Sequence, residues 1–203
     1  ILSYLRSENE YADKWFESAE DYKTGLIDEM VSQVAENETS FPVNNGIYNY
    51  YEKTSKSDQL SRYFRKDKYG NEELLLDANL KLLNQEYYSI KSISPSFDNS
   101  LMAFSEDNNG RREFTIKIMN TVNMTLMNDE IKATTGTALW SSDNKYIIYL
   151  KKDPITLISN SVFAHKVGTF ESEDMLLYRE DDLEFNLSIS LAKSKKYIYI
   201  NIE

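Results

Sequence analysis

The 203-residue sequence contains no cysteine and a single histidine. Without cysteine the chain forms no disulfide, no thiolate nucleophile and no cysteine-ligated zinc site. No apolar run approaches the roughly 18 residues that a membrane-spanning helix needs. These absences exclude thiol-based catalysis and disulfide scaffolds, and they predict that a membrane is not a partner.

Glycine is also scarce, with six residues in the chain. A nucleophile elbow of the form Gly-x-Ser-x-Gly needs two glycines four positions apart, because the strained turn tolerates only small residues around the serine. No two glycines have that spacing, and no glycine-rich nucleotide-binding loop is present either. We therefore predict no catalytic and no cofactor-binding residue in this chain, and no cofactor.

Acidic residues outnumber basic ones, and the formal net charge is −10. A surface of this sign repels phosphate backbones, which makes nucleic acid an unfavourable partner. The same field would attract cationic peptides, although acidity that serves only solubility is the more common case. Aromatic residues are abundant, but base stacking in a nucleic-acid groove needs basic neighbours that this composition does not favour.

The first part of the chain, residues 1–40, has a helical pattern. Apolar residues recur at spacings of three, four and seven in two stripes, which are Leu2, Leu5, Ala12, Trp15, Phe16 and Ala19, then Leu26, Ile27, Met30, Val31 and Val34. Such stripes are typical of amphipathic helices packed on a domain surface. We predict an N-terminal helical segment over residues 1–40, interrupted at Gly25.

From Phe41 onward the pattern changes to short apolar runs separated by polar turns. Predicted strands are centred on residues 47–51, 60–65, 73–77, 101–105, 114–120, 138–140, 146–151, 161–166, 175–178, 187–190 and 197–202. Many short strands without alternating helices indicate an antiparallel, mainly β architecture. We assign residues 41–203 to this second region.

A weak internal repeat organises the β region. Each copy is a polar turn followed by an apolar strand, and the copies begin at Ser96, at Ser141 and, in a degenerate form, at Ala192. Spacings of about 40–50 residues are typical of four-stranded propeller blades. We predict a partial, incomplete β-propeller of about three to four blades.

Several segments match a known family in order and spacing. They include Leu5–Tyr11, Phe41-Pro42-Val43, Leu75–Asn79, Trp140–Asn144, His165–Thr169 and Glu173-Asp174. With these segments the chain resembles the N-terminal propeller of oligopeptidase B-type enzymes, serine peptidases of the prolyl oligopeptidase family. One departure is Ser96-Phe97-Asp98, where the family usually has Ser-Pro-Asp at what we take as its first blade turn.

The resemblance implies a function for a larger protein. In the family, a C-terminal α/β-hydrolase domain carries the Ser-Asp-His triad and selects Lys or Arg in short peptides, and the propeller restricts access to it. We expect this α/β-hydrolase domain to be absent from the chain, so that it supplies scaffold and gating and is inactive alone. Implied partners are the hydrolase domain and, in the complete enzyme, short basic peptides. The resemblance and the lack of cysteine favour a cytoplasmic location.

Three groups of residues remain as possible sites, and each has an ordinary structural explanation. His165 is the one available general base, but it has no nucleophile motif beside it. Glu180, Asp181, Asp182 and Glu184 lack the spacing of an EF-hand loop and are typical of a solvated acidic loop. Arg111-Arg112 is typical of a surface turn. We therefore predict no metal site.

Two alternatives to a peptidase portion stay open. The chain could be a stand-alone interaction module, because propellers often serve as binding platforms. It could also be a non-functional remnant of a split gene. Exposed strand edges in an unclosed ring favour aggregation, so a monomer that melts cooperatively would favour the module.

Overall fold

The computed structural model describes residues 1–182 and 184–203. The chain divides into two compact units, residues 1–38 and residues 39–203. Within the described residues, none of the helices combines the length and the apolar character that crossing a bilayer requires.

The first unit is helical and contains α1 (Leu2–Glu17) and α2 (Glu20–Ser32). The predicted interruption at Gly25 is wrong, because Gly25 lies inside α2. The helices instead separate at Ser18, where the Ala19 N–H donates to the Phe16 carbonyl in a tighter turn. A single glycine costs a helix only about 1 kcal/mol relative to alanine, too little to end it.

A sheet of five strands begins at the boundary between the two units. These are β1 (Glu38–Thr39), β2 (Val43–Asn45), β3 (Tyr48–Thr54), β4 (Arg62–Asp67) and β5 (Glu72–Asp77), and a short helix α3 (Ala78–Leu82) follows them. Strands β1 and β2 both lie beside β3, which is followed by β4 and then β5. We refer to β2–β5, an antiparallel meander, as blade 1.

The next sheet contains seven antiparallel strands in sequence order. These are β6 (Ser89–Pro95), β7 (Leu101–Asp107), β8 (Phe114–Asn120), β9 (Thr125–Trp140), β10 (Tyr146–Lys152), β11 (Ser159–Lys166) and β12 (Met175–Arg179). The long strand β9 pairs with β8 through residues 125–134 and with β10 through residues 134–140. It is therefore the outer strand of one four-stranded blade, blade 2, and the inner strand of the next, blade 3.

Strand β9 changes direction where the two blades meet. Ala133 and Gly136 both have left-handed backbone conformations, with φ of 56° and 87°. The sequence prediction recovered only residues 138–140 of this strand, because the preceding residues are largely polar. It also missed β6.

A hairpin of β13 (Leu187–Leu191) and β14 (Ile198–Ile202) forms a third sheet, which we call blade 4. In all four blades the turn between the first two strands contains one left-handed residue: Gly46, Asn99, Asn144 and Lys195, with φ between 59° and 64°. The predicted repeat is thus confirmed, and it has an additional copy at Gly46. Ser96-Phe97-Asp98 accordingly lies in the turn of blade 2.

Apolar side chains fill the interfaces between successive blades. Blades 1 and 2 share Tyr50, Leu75, Leu76, Met102, Phe104 and Met119. Blades 2 and 3 share Ala103, Ile116, Ile118, Ile131, Ala138, Trp140, Ile147 and Tyr149, and blades 3 and 4 share Leu150, Val162, Leu187 and Ile189. Burying one such large aliphatic side chain stabilises the fold by roughly 1.5–3 kcal/mol. The sheets described here do not close into a ring, which confirms the prediction of a partial propeller.

Candidate functional site

The main candidate site is a cavity of about 670 Å³ at the start of the innermost blade strands. Its wall includes Ser89 to Lys91 at the start of β6, Thr135 and Thr137 in the blade 3 part of β9, and Leu187 and Ser188 at the start of β13. These are the first strands of blades 2, 3 and 4. The cavity therefore lies at the axis around which the blades are arranged, at the end opposite the left-handed turns. We call it the axial cavity.

Three cationic side chains line the axial cavity: Lys91, Arg112 and Lys152. The Lys91 ammonium donates to the Thr135 carbonyl at 2.8 Å, and the Lys152 ammonium donates to the Arg112 carbonyl at 2.7 Å. Burial lowers the pKa of Lys91, and the nearby charges of Lys152 and Arg112 lower it further. Because the charges of Lys152 and Arg112 act on the Lys91 ammonium, the three cations are close enough to influence one another.

Among the described residues, Asp107 is the one acidic side chain in the wall of the axial cavity, and it is buried. Its carboxylate accepts backbone hydrogen bonds from Asn109, Gly110 and Arg112 at 2.9, 3.0 and 2.8 Å. The carboxylate thus holds the β7–β8 turn, in which Arg112 has a left-handed φ of 57°. Asp107 therefore fixes the backbone position of Arg112 in this turn.

His165 lies away from the axial cavity, in a buried polar network between blades 2 and 3. It is on β11 and completely buried, and its Nε2 and Nδ1 lie 2.9 Å from Asp129 and 2.6 Å from Asp174. Asp174 also accepts a hydrogen bond from the Tyr149 hydroxyl at 2.8 Å, and this bond and burial raise the Tyr149 pKa. Since both ring nitrogens face carboxylates, neither is free to accept a proton from a serine hydroxyl.

The acidic run after β12 forms local contacts. Glu180 accepts hydrogen bonds from the Asp182 N–H at 3.0 Å and the Tyr178 hydroxyl at 2.9 Å, and these bonds lower its pKa. In the described part of the chain, no group of three or more His, Asp or Glu residues has an arrangement that could hold a metal ion.

Of the predicted candidate residues, the structure brings only Arg112 to the axial cavity. Sequence reasoning did not single out Lys91 or Lys152. Lys91 lies on β6, which was not predicted as a strand, and Lys152 is at the end of β10. The two lysines could have been found from their position at the start or end of blade strands, but this inference requires the strand boundaries of each blade to be known.

The chain matches the family model described as the prolyl oligopeptidase, N-terminal beta-propeller domain, over residues 2–203. It is 31% identical to dipeptidyl aminopeptidase BI of Pseudoxanthomonas mexicana, in an alignment that covers 100% of this chain and 30% of that protein. It is 27% identical to Protease 2 of Moraxella lacunata, with coverage of 98% and 30%. The chain thus spans about 30% of the length of these curated relatives.

Solved structures agree with the fold. Oligopeptidase B from Leishmania major superposes with a TM-score of 0.91 at 24% identity, covering 100% of this chain and 29% of that one. Oligopeptidase B from Trypanosoma brucei gives a TM-score of 0.88 at 22% identity, with coverage of 100% and 29%. The family model, the relatives and the blade architecture lead to one conclusion: this chain belongs to the prolyl oligopeptidase family, as its N-terminal β-propeller domain.

Proposed function

We propose that this chain is the scaffold and gate of a serine peptidase that hydrolyses short peptides after Lys or Arg. The observation that carries the proposal is the match of the whole chain to a peptidase propeller, with an open cavity at the axis of the blades. The bond-breaking residues belong to an α/β-hydrolase domain in the remainder of the complete enzyme. The propeller limits access to that domain, so that only short, unfolded peptides reach it.

The specificity for Lys or Arg follows from the oligopeptidase B resemblance. The two relatives carry different names, one a dipeptidyl aminopeptidase and one a Protease 2, and neither name states a preference for Lys or Arg. The net charge of −10 supports a basic substrate, since an acidic surface raises the local concentration of cationic peptides. We place the complete enzyme in the cytoplasm.

The first test is a peptidase assay on the chain alone, with a fluorogenic peptide that ends in Arg. We expect no hydrolysis, because His165 is engaged with two carboxylates and the sequence has no nucleophile elbow. Hydrolysis that a serine-directed inhibitor abolishes would contradict this part of the proposal.

The second test is a chimera in which this chain replaces the matching segment of Moraxella lacunata Protease 2. We expect the chimera to hydrolyse the short Arg peptide and to leave a folded protein substrate intact. The unaltered Protease 2 is the control. A folded chimera that degrades the protein substrate as fast as the peptide would show that this chain does not act as a gate.

A further inference from the structure

We propose that the axial cavity binds a carboxylate, namely the free C-terminal carboxylate of a short peptide. This inference rests on the proposed function, because it assigns a peptide-anchoring role to the same propeller. It starts from one observation: Lys91, Arg112 and Lys152 converge on a single cavity in a chain whose net charge is −10.

The three cations are not neutralised by protein carboxylates. No ion pair in the described residues includes Lys91, Arg112 or Lys152, whereas Lys117 pairs with Glu106 at 2.6 Å. The nearby Asp107 directs its oxygens to three backbone N–H groups instead. The wall thus carries three cations and one carboxylate, and a concave site with an excess of positive charge concentrates anionic ligands.

The two lysine donors in the cavity are also held in place. Lys91 and Lys152 each use one N–H on a backbone carbonyl, and an ammonium group has three N–H donors. Two donors on each lysine thus remain for a ligand. The Arg112 guanidinium makes no side-chain hydrogen bond within the described residues, and its planar fork matches the two oxygens of a carboxylate.

The remaining wall favours a peptide end over a small inorganic anion. Tyr87, which is 43% exposed, and the half-buried Ile90 provide apolar surface, and Thr137 and Ser159 provide hydroxyl groups. The volume of about 670 Å³ lies within the range of small-ligand sites, roughly 300–1,000 Å³. A peptide would place its carboxylate on the cations and its last side chain on the apolar wall, whereas phosphate would use only the cations.

The test is fluorescence anisotropy with an N-terminally labelled Ala-Ala-Phe peptide, compared as the free acid and as the C-terminal amide. We expect the free acid to bind the full chain about tenfold more tightly. Arg112→Gln and Lys152→Gln should each weaken the free acid about fivefold, the factor for an exposed ion pair. Arg111→Gln is the matched control, because it removes the same charge one position away, outside the cavity wall.

Three outcomes would overturn the inference. They are equal binding of the acid and the amide, equal weakening of peptide binding by Arg111→Gln and Arg112→Gln, and displacement of the peptide by inorganic phosphate that is present at a lower concentration than the peptide. The same peptide pair, used as inhibitors of the chimera, provides a second readout. Hydrolysis by the chain alone would contradict the proposed function but would not bear on the carboxylate site. Equal binding of the acid and the amide would contradict the carboxylate site but would not bear on the proposed gating function.

Discussion

The junction between blades 1 and 2 differs from the junction between blades 2 and 3. Blades 1 and 2 belong to separate sheets, and side chains join them: the Asn45 amide donates to the Ser96 carbonyl at 2.9 Å, and the Tyr50 hydroxyl donates to Asn99 at 2.8 Å. Blades 2 and 3 share the continuous strand β9. One junction therefore depends on side-chain chemistry, while backbone pairing supports the other.

Each junction nevertheless contains a buried network of ionisable side chains. At the first junction, the Arg65 guanidinium donates to Glu73, to the Asn99 carbonyl and to both oxygens of Thr121, at 2.7–3.1 Å. At the second, His165 lies between Asp129 and Asp174. A buried polar connection is thus present at both junctions, with or without a shared strand.

The largest effect should come from His165→Ala, at the second junction. The substitution leaves two carboxylates, each with a side chain 2% exposed, without their common partner. We expect a loss of about 4 kcal/mol in the free energy of unfolding, measured by urea denaturation. Lys166→Ala, the exposed neighbour on β11, is the control and should change stability by less than about 0.5 kcal/mol. A loss below about 1 kcal/mol for His165→Ala would mean that β9 alone carries this junction.

Arg65→Ala should be the next most damaging change, at the first junction. It leaves the Asn99 and Thr121 carbonyls without these donors and removes the cation–π contact with Tyr48, whose ring centre is 4.2 Å from the guanidinium carbon. We expect a loss of about 3 kcal/mol in the free energy of unfolding. Arg65→Lys keeps the charge but not the fork, so it should recover less than half of the loss. Full recovery by lysine would show that charge alone matters here.

Gly136→Ala tests whether the bend in β9 is essential to the second junction. Gly136 has φ of 87°, and a Cβ there would lie 2.9 Å from a ring carbon of Phe114. Gly70 is a matched control, since its φ is 92° and a Cβ would meet nothing within 4 Å. We expect Gly136→Ala to lower the free energy of unfolding by about 2 kcal/mol more than Gly70→Ala does, because only the substitution at Gly136 adds overpacking to backbone strain. Equal losses of unfolding free energy in the two variants would mean that the Phe114 ring can move aside without an energetic cost.

The smallest effect concerns pH and the blade 2 turn. The Ser96 and Ser100 hydroxyls and the Ser100 N–H donate to Asp98 and lower its pKa. A carboxyl whose pKa is lower in the folded chain contributes stability above its unfolded pKa, and this contribution is lost as the pH falls through the folded pKa. Asp98→Asn should therefore reduce stability slightly at pH 7 and flatten its decline below about pH 4. An unchanged acid profile, measured by urea denaturation at several pH values, would contradict this.

Much of the fold could be predicted from the sequence, because the blade strands carry short apolar runs and the turns carry Asn, Asp and Ser. The strands that were not predicted from the sequence escaped prediction for physical reasons. Residues 125–134 of β9 are largely polar because one side of an outer strand faces solvent, and β1 and β2 are too short for a pattern. The axial cavity could not be predicted, because Lys91, Arg112 and Lys152 are up to 61 positions apart and meet only when the blades are placed side by side.

The shared strand β9 also sets the size of the units in which this domain can open. Residues 125–134 pair with β8 in blade 2, and residues 134–140 of the same strand pair with β10 in blade 3. Loss of either ladder therefore frees one end of a strand that the other ladder needs. Blades 2 and 3 should thus exchange their amide hydrogens as a single cooperative unit, while blade 1 can open separately. An intervening sequence inserted into this strand would disturb two blades together, whereas one placed between β5 and β6 would leave each sheet whole.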